Sequence, residues 1–133
     1  MRYQGHNILA IIVAAVAMYA IGAIIYGALF GEYWMQLSGV TKDSFAGEEW
    51  RMALSPIMPI LQAIGLSLVI KWRNAVGWLE GAASGFWMAL FFVFASRLYM
   101  FVYSTEPSAL LGLDTVHLFL INMVGGAIIG AWK

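Results

Sequence analysis

Five polar side chains fall inside long apolar stretches of this sequence. They are Gln62, Arg97, Asp114, His117 and Asn122. Ionisable residues inside a membrane span are rare, and they mark pathways, proton relays or buried ion pairs. Arg97 and Asp114 flank the short segment 105–108 at similar distances, about 10 Å along the helix axes. We therefore predict an ion pair between Arg97 and Asp114.

His117 follows Asp114 by three residues, and side chains at that spacing share one face of a helix. We expect His117 to hydrogen-bond to Asp114 and to change its charge near neutral pH. Two interpretations of the polar set stay open. One is a pathway for a polar solute, an ion or a proton, and the other is a set of structural pairs that fix the register of the helices.

The elements that must position these residues are four apolar stretches. Of the 133 residues, 62% are hydrophobic and 11% are charged, whereas a soluble domain is about 45–50% apolar and about 25% charged. A bilayer span needs about 20 apolar residues. We predict one transmembrane domain, residues 1–133, with spans over about 7–30, 54–70, 75–104 and 109–131. The fold class is an all-α bundle of four transmembrane helices.

An interfacial segment, 32–53, separates the first two spans, because it mixes charged and aromatic residues as membrane interfaces do. Gly39 is expected to break it, and Thr41 to cap a short helix in which Phe45 and Met52 share a face. A solvated loop is the alternative. The residues expected to anchor the chain at the interface are Tyr26, Trp34, Trp50, Trp72 and Trp132.

The basic residues predict the orientation of the spans. One side of the membrane would hold Arg2, Lys71, Arg73 and Lys133, and the other Lys42 and Arg51. The larger number marks the cytoplasmic side, so we expect a multi-pass protein with both termini in the cytoplasm.

Small residues indicate where helices pack closely. Gly77, Gly81 and Gly85 recur at intervals of four in the third stretch, and Gly126 and Gly130 do so in the fourth. Residues so spaced lie along one side of a helix and let a neighbouring backbone approach. The neighbour is either another helix of the same bundle or a second copy of the chain.

The sequence lacks the residues that several kinds of binding site and active site require. The sequence has no cysteine, and its two histidines lie far apart without ligand spacing around either. Basic and acidic residues cancel, which leaves no cationic surface for nucleic acid. No phosphate-binding loop or nucleophile motif is present. We expect no metal, no cofactor and no nucleic-acid partner, and no feature favours an enzyme.

One motif is more specific than the rest. After Gly22 comes Tyr26-x-x-Leu-Phe-Gly31, then Trp34 and Gly39. Together with Gly81, Gly85-Phe86 and the ending 120–132, this resembles a bacterial four-helix membrane family known as domain of unknown function seventeen sixty-one. The likeness covers nearly the whole chain.

The resemblance implies four spans and a bacterial inner membrane, and it implies no activity. Family members commonly have an aromatic residue just before the tyrosine of this motif, where this chain has Ile25. The positions that the resemblance makes worth mutating are Tyr26, Phe30, Gly31, Trp34 and Asn122.

The glycine ladders, the short loops and the lack of a soluble domain favour a non-enzymatic protein, either a homo-oligomer or an accessory subunit of a membrane complex. Translocation of a small solute, an ion or a proton through the polar residues is the alternative. A lipid-binding membrane protein is the second alternative. The expected partners are membrane lipids and either a second copy or another membrane protein.

Overall fold

The computed structural model describes residues 2–3 and 5–132. A short antiparallel pairing of β1 (Arg2–Tyr3) with β2 (His6–Asn7) opens the chain. The helices follow as α1 (Ile8–Ala23), π1 (Ile24–Leu29), α2 (Gly31–Ser38), α3 (Trp50–Ala53), α4 (Ile57–Trp72), α5 (Trp78–Met88), π2 (Ala89–Phe94), α6 (Ala95–Val102) and α7 (Ser108–Ala131).

Four helical stretches of the described residues are long and apolar enough to cross a membrane. They are span 1 (Ile8–Leu29), span 2 (Trp50–Trp72), span 3 (Trp78–Val102) and span 4 (Ser108–Ala131). The predicted all-α class with four spans is therefore confirmed. Span 2 begins earlier than the expected residue 54, because turn hydrogen bonds continue from α3 into α4 through Leu54 and Ile57.

The interfacial segment is helical over α2, before Gly39, and after Gly39 it forms turns until the single-turn helix α3 (Trp50–Ala53). The α2 helix ends where Gly39 adopts a left-handed φ of +70°, a conformation that favours glycine. The prediction that Thr41 caps a short helix is wrong, because residues 42–47 form turns and α3 begins only at Trp50. Thr41 and Ser44 bond to each other through backbone and side chain, the backbone N–H of Thr41 donating to the Ser44 hydroxyl at 2.8 Å, and this fixes a turn instead.

The apolar core lies around α7, which packs against α1, α4 and α5. The buried cluster comprises Ala14, Ala15, Met18, Ala63, Leu66, Ile70, Ala75, Ile121 and Ile129. These residues come mainly from spans 1, 2 and 4, so span 3 is peripheral. Its large side chains, among them Trp87 and Phe91, face outward, where lipid covers apolar surface at no cost.

Spans 3 and 4 approach until their backbones touch. A Cβ atom at Gly81 would collide with the carbonyl oxygen of Gly126, and one at Gly85 would collide with another backbone carbonyl of α7. A Cβ at Gly130 would lie 2.5 Å from the carbonyl oxygen of Gly77, whose own N–H donates to the Gly130 carbonyl at 3.0 Å. All five glycines of the two ladders thus contact each other within one chain.

The bundle has two ends. One end contains β1–β2, the segment 73–77 and Trp132, and we call it the terminal end. The loop end is the one with the segments 30–56 and 103–107.

Candidate functional site

The polar residues of the loop end form one connected group, the loop-end cluster, made of Tyr26, Arg97, Glu106, Asp114 and His117. Asp114 accepts a hydrogen bond from the Tyr26 hydroxyl at 2.6 Å on one oxygen and from Arg97 Nε at 2.9 Å on the other. Arg97 also pairs with Glu106. The predicted Arg97–Asp114 ion pair is present, and Tyr26 and Glu106 complete it.

The π2 segment places Arg97 in this cluster. An α-helix turns about 100° per residue, and a π turn holds one residue more than an α turn. In an uninterrupted α-helix, Ser96 would lie two turns after the buried Ala89, on the same helix face, which is the face toward α7. With the extra residue in π2, Arg97 takes that position and Ser96 is exposed.

The end of span 1 places Tyr26. The Phe30 N–H donates to the Ile25 carbonyl at 2.8 Å, an i to i−5 bond of the π type. This geometry brings Gly31 over Tyr26, because a Cβ at Gly31 would lie 2.8 Å from the Tyr26 carbonyl oxygen. Trp34 on α2 then contacts the Tyr26 ring edge-on, with centroids 6.0 Å apart.

His117 does not make the bond expected of it. Both oxygens of Asp114 are occupied, and the imidazole lies edge-on against the Tyr26 ring, with centroids 4.8 Å apart. A Cβ at Gly22 would lie 3.2 Å from His117 Nε2, so this glycine makes room for the ring.

The nitrogens of His117 are open. The imidazole forms no hydrogen bond or ion pair within residues 2–3 and 5–132, and no fully buried side-chain nitrogen or oxygen there lacks a partner. The ring nitrogens are therefore not fully buried. Of the cluster's side chains, His117 is the one that makes no hydrogen bond to any described residue.

The cluster carries a formal negative charge when His117 is neutral, because one guanidinium faces two carboxylates. The side chains of Arg97, Asp114 and Glu106 are only 16%, 19% and 20% exposed. A charge at this depth is costly unless it is paired. One further positive charge would make the group neutral.

The remaining two predicted polar residues lie away from the cluster. Asn122 is buried and donates to the carbonyl of Leu118 on its own helix at 2.8 Å. Gln62 is half-buried on α4, and its side chain makes no hydrogen bond to any residue that the structure describes. The five residues therefore do not form one continuous row.

The terminal end is closed by hydrogen bonds between elements. His6 Nδ1 bonds to the Ser67 hydroxyl at 2.8 Å, and the Asn7 side chain donates to the Trp132 carbonyl at 2.7 Å. Arg73 donates to the Ser84 hydroxyl at 2.6 Å. The side chain of Arg2 and the whole of Lys133, both used in predicting the orientation, lie outside the described residues.

The aromatic residues expected as anchors divide into two groups. Trp50, Trp72 and Trp132 are exposed near the ends of spans, and their anchoring role stays a prediction. Tyr26 and Trp34 are half-buried and form part of the loop-end cluster and its surroundings. Sequence reasoning missed the role of Tyr26, although its spacing of four from Gly22 indicates a shared helix face.

Comparison with known proteins gives a family and nothing finer. A sequence model of the family described as "Protein of unknown function (DUF1761)" matches residues 9–130. No curated protein and no solved structure matches the chain.

Proposed function

This chain belongs to the DUF1761 family of proteins of unknown function, and from that premise we propose that it is a non-enzymatic, pH-responsive subunit of a bacterial inner-membrane assembly. The loop-end cluster is the responsive site. The observation that carries the proposal is the open imidazole of His117, which lies against Tyr26 and next to a network with one uncompensated negative charge.

Protonation of His117 would change the bonds of its neighbours. The titratable and charged groups around the imidazole are Tyr26 from π1, Asp114 from its own helix, Arg97 from α6 and Glu106 from the segment before α7. An imidazolium ion is a donor at both nitrogens. It would compete with the Tyr26 hydroxyl for Asp114, the nearest carboxylate on its own helix face.

The response would spread through Tyr26 to α2. Trp34 packs on the Tyr26 ring, and Gly31 lies over the Tyr26 carbonyl. A Tyr26 ring that has lost its bond to Asp114 no longer holds Trp34 in one position. The interfacial segment is then the element whose position depends on pH, and a partner could detect that position.

A response fits the geometry better than conduction through a single chain. Between the cluster and the terminal end lie the glycine contacts of spans 3 and 4 and the core around Met18, Leu66 and Ile121. One cavity lies at the terminal end beside His6 and Ser67, another lies at the loop end beside Gly27, and neither is lined by a residue of the cluster. These features favour access from the loop end only.

The partner would be a second copy or another membrane protein, with lipid around both. The glycine ladders are occupied within the chain, so the partner needs a different surface. Span 3 offers the most, because it has the smallest buried share of the four spans. With both termini cytoplasmic, the loop end faces the periplasm, and the cluster responds to periplasmic pH.

The test is an NMR titration of the protein in lipid nanodiscs, with ¹⁵N-labelled histidine and tryptophan. Between about pH 5 and 8, where histidines titrate, we expect the Trp34 indole signal to move with the His117 imidazole signal. His117→Gln should abolish the movement, and the matched control His6→Gln should retain it. A Trp34 signal that still titrates in His117→Gln would refute the proposal.

Proton flux separates response from translocation. Liposomes that contain the protein and a trapped pH dye should hold a pH gradient as well as empty liposomes do. A leak that is present in the wild type and absent in His117→Gln would overturn the proposal in favour of proton translocation.

A further inference from the structure

The elbow between π1 and α2 has an open cleft. The chain bends at Phe30, whose φ and ψ of −124° and 16° belong to neither helix. The cleft has a volume of about 460 Å³, within the usual range for a ligand site. Its floor is Gly27, Ala28 and Gly31, and its rim carries Glu32, Tyr33 and Gln36.

Gly27 has no packing reason inside the chain. A Cβ there would meet nothing within 4 Å, in contrast to Gly31 and Gly22. Glycine inside a helix costs about 1 kcal/mol relative to alanine. A glycine on the floor of a cleft has no side chain, so it lets a ligand approach the main chain closely.

The cleft lies at the end of span 1, so in a bilayer that span 1 crosses it would lie near the headgroups. Span 1 ends at Leu29, and α2 continues from it with its charged and polar residues on the open side. Glu32 is exposed and forms no ion pair with any side chain in the described part of the protein. The rim thus presents one carboxylate, with the amide of Gln36 and the hydroxyl of Tyr33 beside it.

We propose that the cleft binds one phospholipid with a primary ammonium headgroup. The ammonium pairs with the Glu32 carboxylate, the Gln36 amide and the Tyr33 hydroxyl donate to the phosphate, and the acyl chains continue along the apolar surface of span 1. An anionic headgroup would meet the negative charge of Glu32. A choline headgroup has no N–H to donate, so it cannot form the charge-assisted hydrogen bond.

The site shares the elbow with the pH response, but its test is separate, because the Glu32 side chain forms no hydrogen bond or ion pair with the loop-end cluster. Its test is native mass spectrometry of the protein released from nanodiscs that contain ethanolamine, choline and glycerol phospholipids in equal amounts. We expect one ethanolamine lipid to be retained over the other two by about tenfold, the effect of one charge-assisted hydrogen bond.

Two variants locate the site. Glu32→Gln should reduce the retained lipids to the composition of the bilayer, and Gly27→Val should do the same by filling the floor. The controls are Glu48→Gln, whose carboxylate pairs with Arg51 on the same segment, and Gly112→Val, where a side chain meets nothing on α7.

Each outcome decides the question. Equal retention of ethanolamine and choline lipids would overturn the proposal, and so would ethanolamine enrichment that survives in Glu32→Gln. If Gly27→Val fails to fold, Glu32→Gln still decides, because an exposed side chain with no ion pair among the described residues is not needed for folding.

Discussion

Spans 3 and 4 are held together in two different ways along their length. Toward the terminal end, Gly81 and Gly126 bring the two backbones into contact without any side chain between them. Toward the loop end, Arg97 and Asp114 join the same helices by long, polar side chains. Glycine contacts offer no alternative rotamers, whereas hydrogen-bonded charges can exchange partners. The rigid half of this helix pair therefore supports a half that can rearrange.

The two histidines repeat the contrast. At the terminal end His6 is bonded to the Ser67 hydroxyl, and at the loop end His117 has no hydrogen-bond partner in the described chain. A bonded imidazole fastens two elements together. An open one is free to take up a proton or a ligand.

The strongest test of this comparison is Gly85→Leu. Its Cβ would collide with a backbone carbonyl of α7, so one of the helices must move. We expect the free energy of unfolding to fall by about 3 kcal/mol or more, measured by reversible denaturation in mixed micelles. Gly112→Leu is the control, because a Cβ there meets nothing. Equal stability of the two variants would contradict the close packing.

Asp114→Asn should have the next largest effect. It removes the carboxylate that accepts from both Tyr26 and Arg97, and a hydrogen bond to a charged group contributes about 1.5–3 kcal/mol. Asp43→Asn, in the exposed segment, is the control. In a double-mutant cycle, Arg97→Met should cost less stability in the Asp114→Asn background than in the wild type, and equal costs would mean that the two residues are not coupled.

Tyr26→Phe isolates one hydrogen bond of the cluster. The lost bond joins a hydroxyl to a carboxylate at 2.6 Å, and such bonds contribute about 1.5–3 kcal/mol. Tyr19→Phe removes a bond between two neutral hydroxyls at an exposed site, so it should cost less. Thermal unfolding in the same micelles compares them, and a larger effect for Tyr19 would reverse the expected order.

The smallest effect should come from the terminal end. Asn7 caps α1 by accepting from the Ala10 N–H, and it donates to the Trp132 carbonyl. Asn7→Ala should cost about 1 kcal/mol, the value of one N-cap. Asn7→Asp keeps the capping oxygen and loses the donor, so its stability in the same denaturation assay should lie between alanine and wild type. A loss with Asp as large as with Ala would assign the effect to Trp132.

The fold was predictable because span length and apolar composition determine it. The Arg97–Asp114 pair was predictable too, since both residues lie equally far from one short turn. The π segments were not, because one extra residue in a helix leaves the composition unchanged. Without π1, Tyr26 looks like an interfacial anchor, and nothing in the sequence signals that its hydroxyl takes the Asp114 oxygen expected for His117.

The interfacial helix was misplaced for a similar reason. Gly31 looks like the end of the first span, and in the structure it begins α2 instead, directly after the bend at Phe30. Thr41 looks like a helix cap, but its hydrogen bonds to Ser44 close a turn. Capping residues in a sequence indicate where a helix can begin, and tertiary contacts determine whether the helix forms there.

Because π2 contains one residue more than an α-helix of the same number of turns, the effect of deleting a residue in span 3 depends on where the deletion falls. Deleting one residue between Ala89 and Phe94, such as the exposed Phe92, would convert the stretch to an ordinary α-helix and leave Arg97 on the side that faces α7. Deleting Ser96 instead would turn Arg97 away by about 100°. Tolerance to single-residue deletions should therefore change abruptly within a few positions of the same helix.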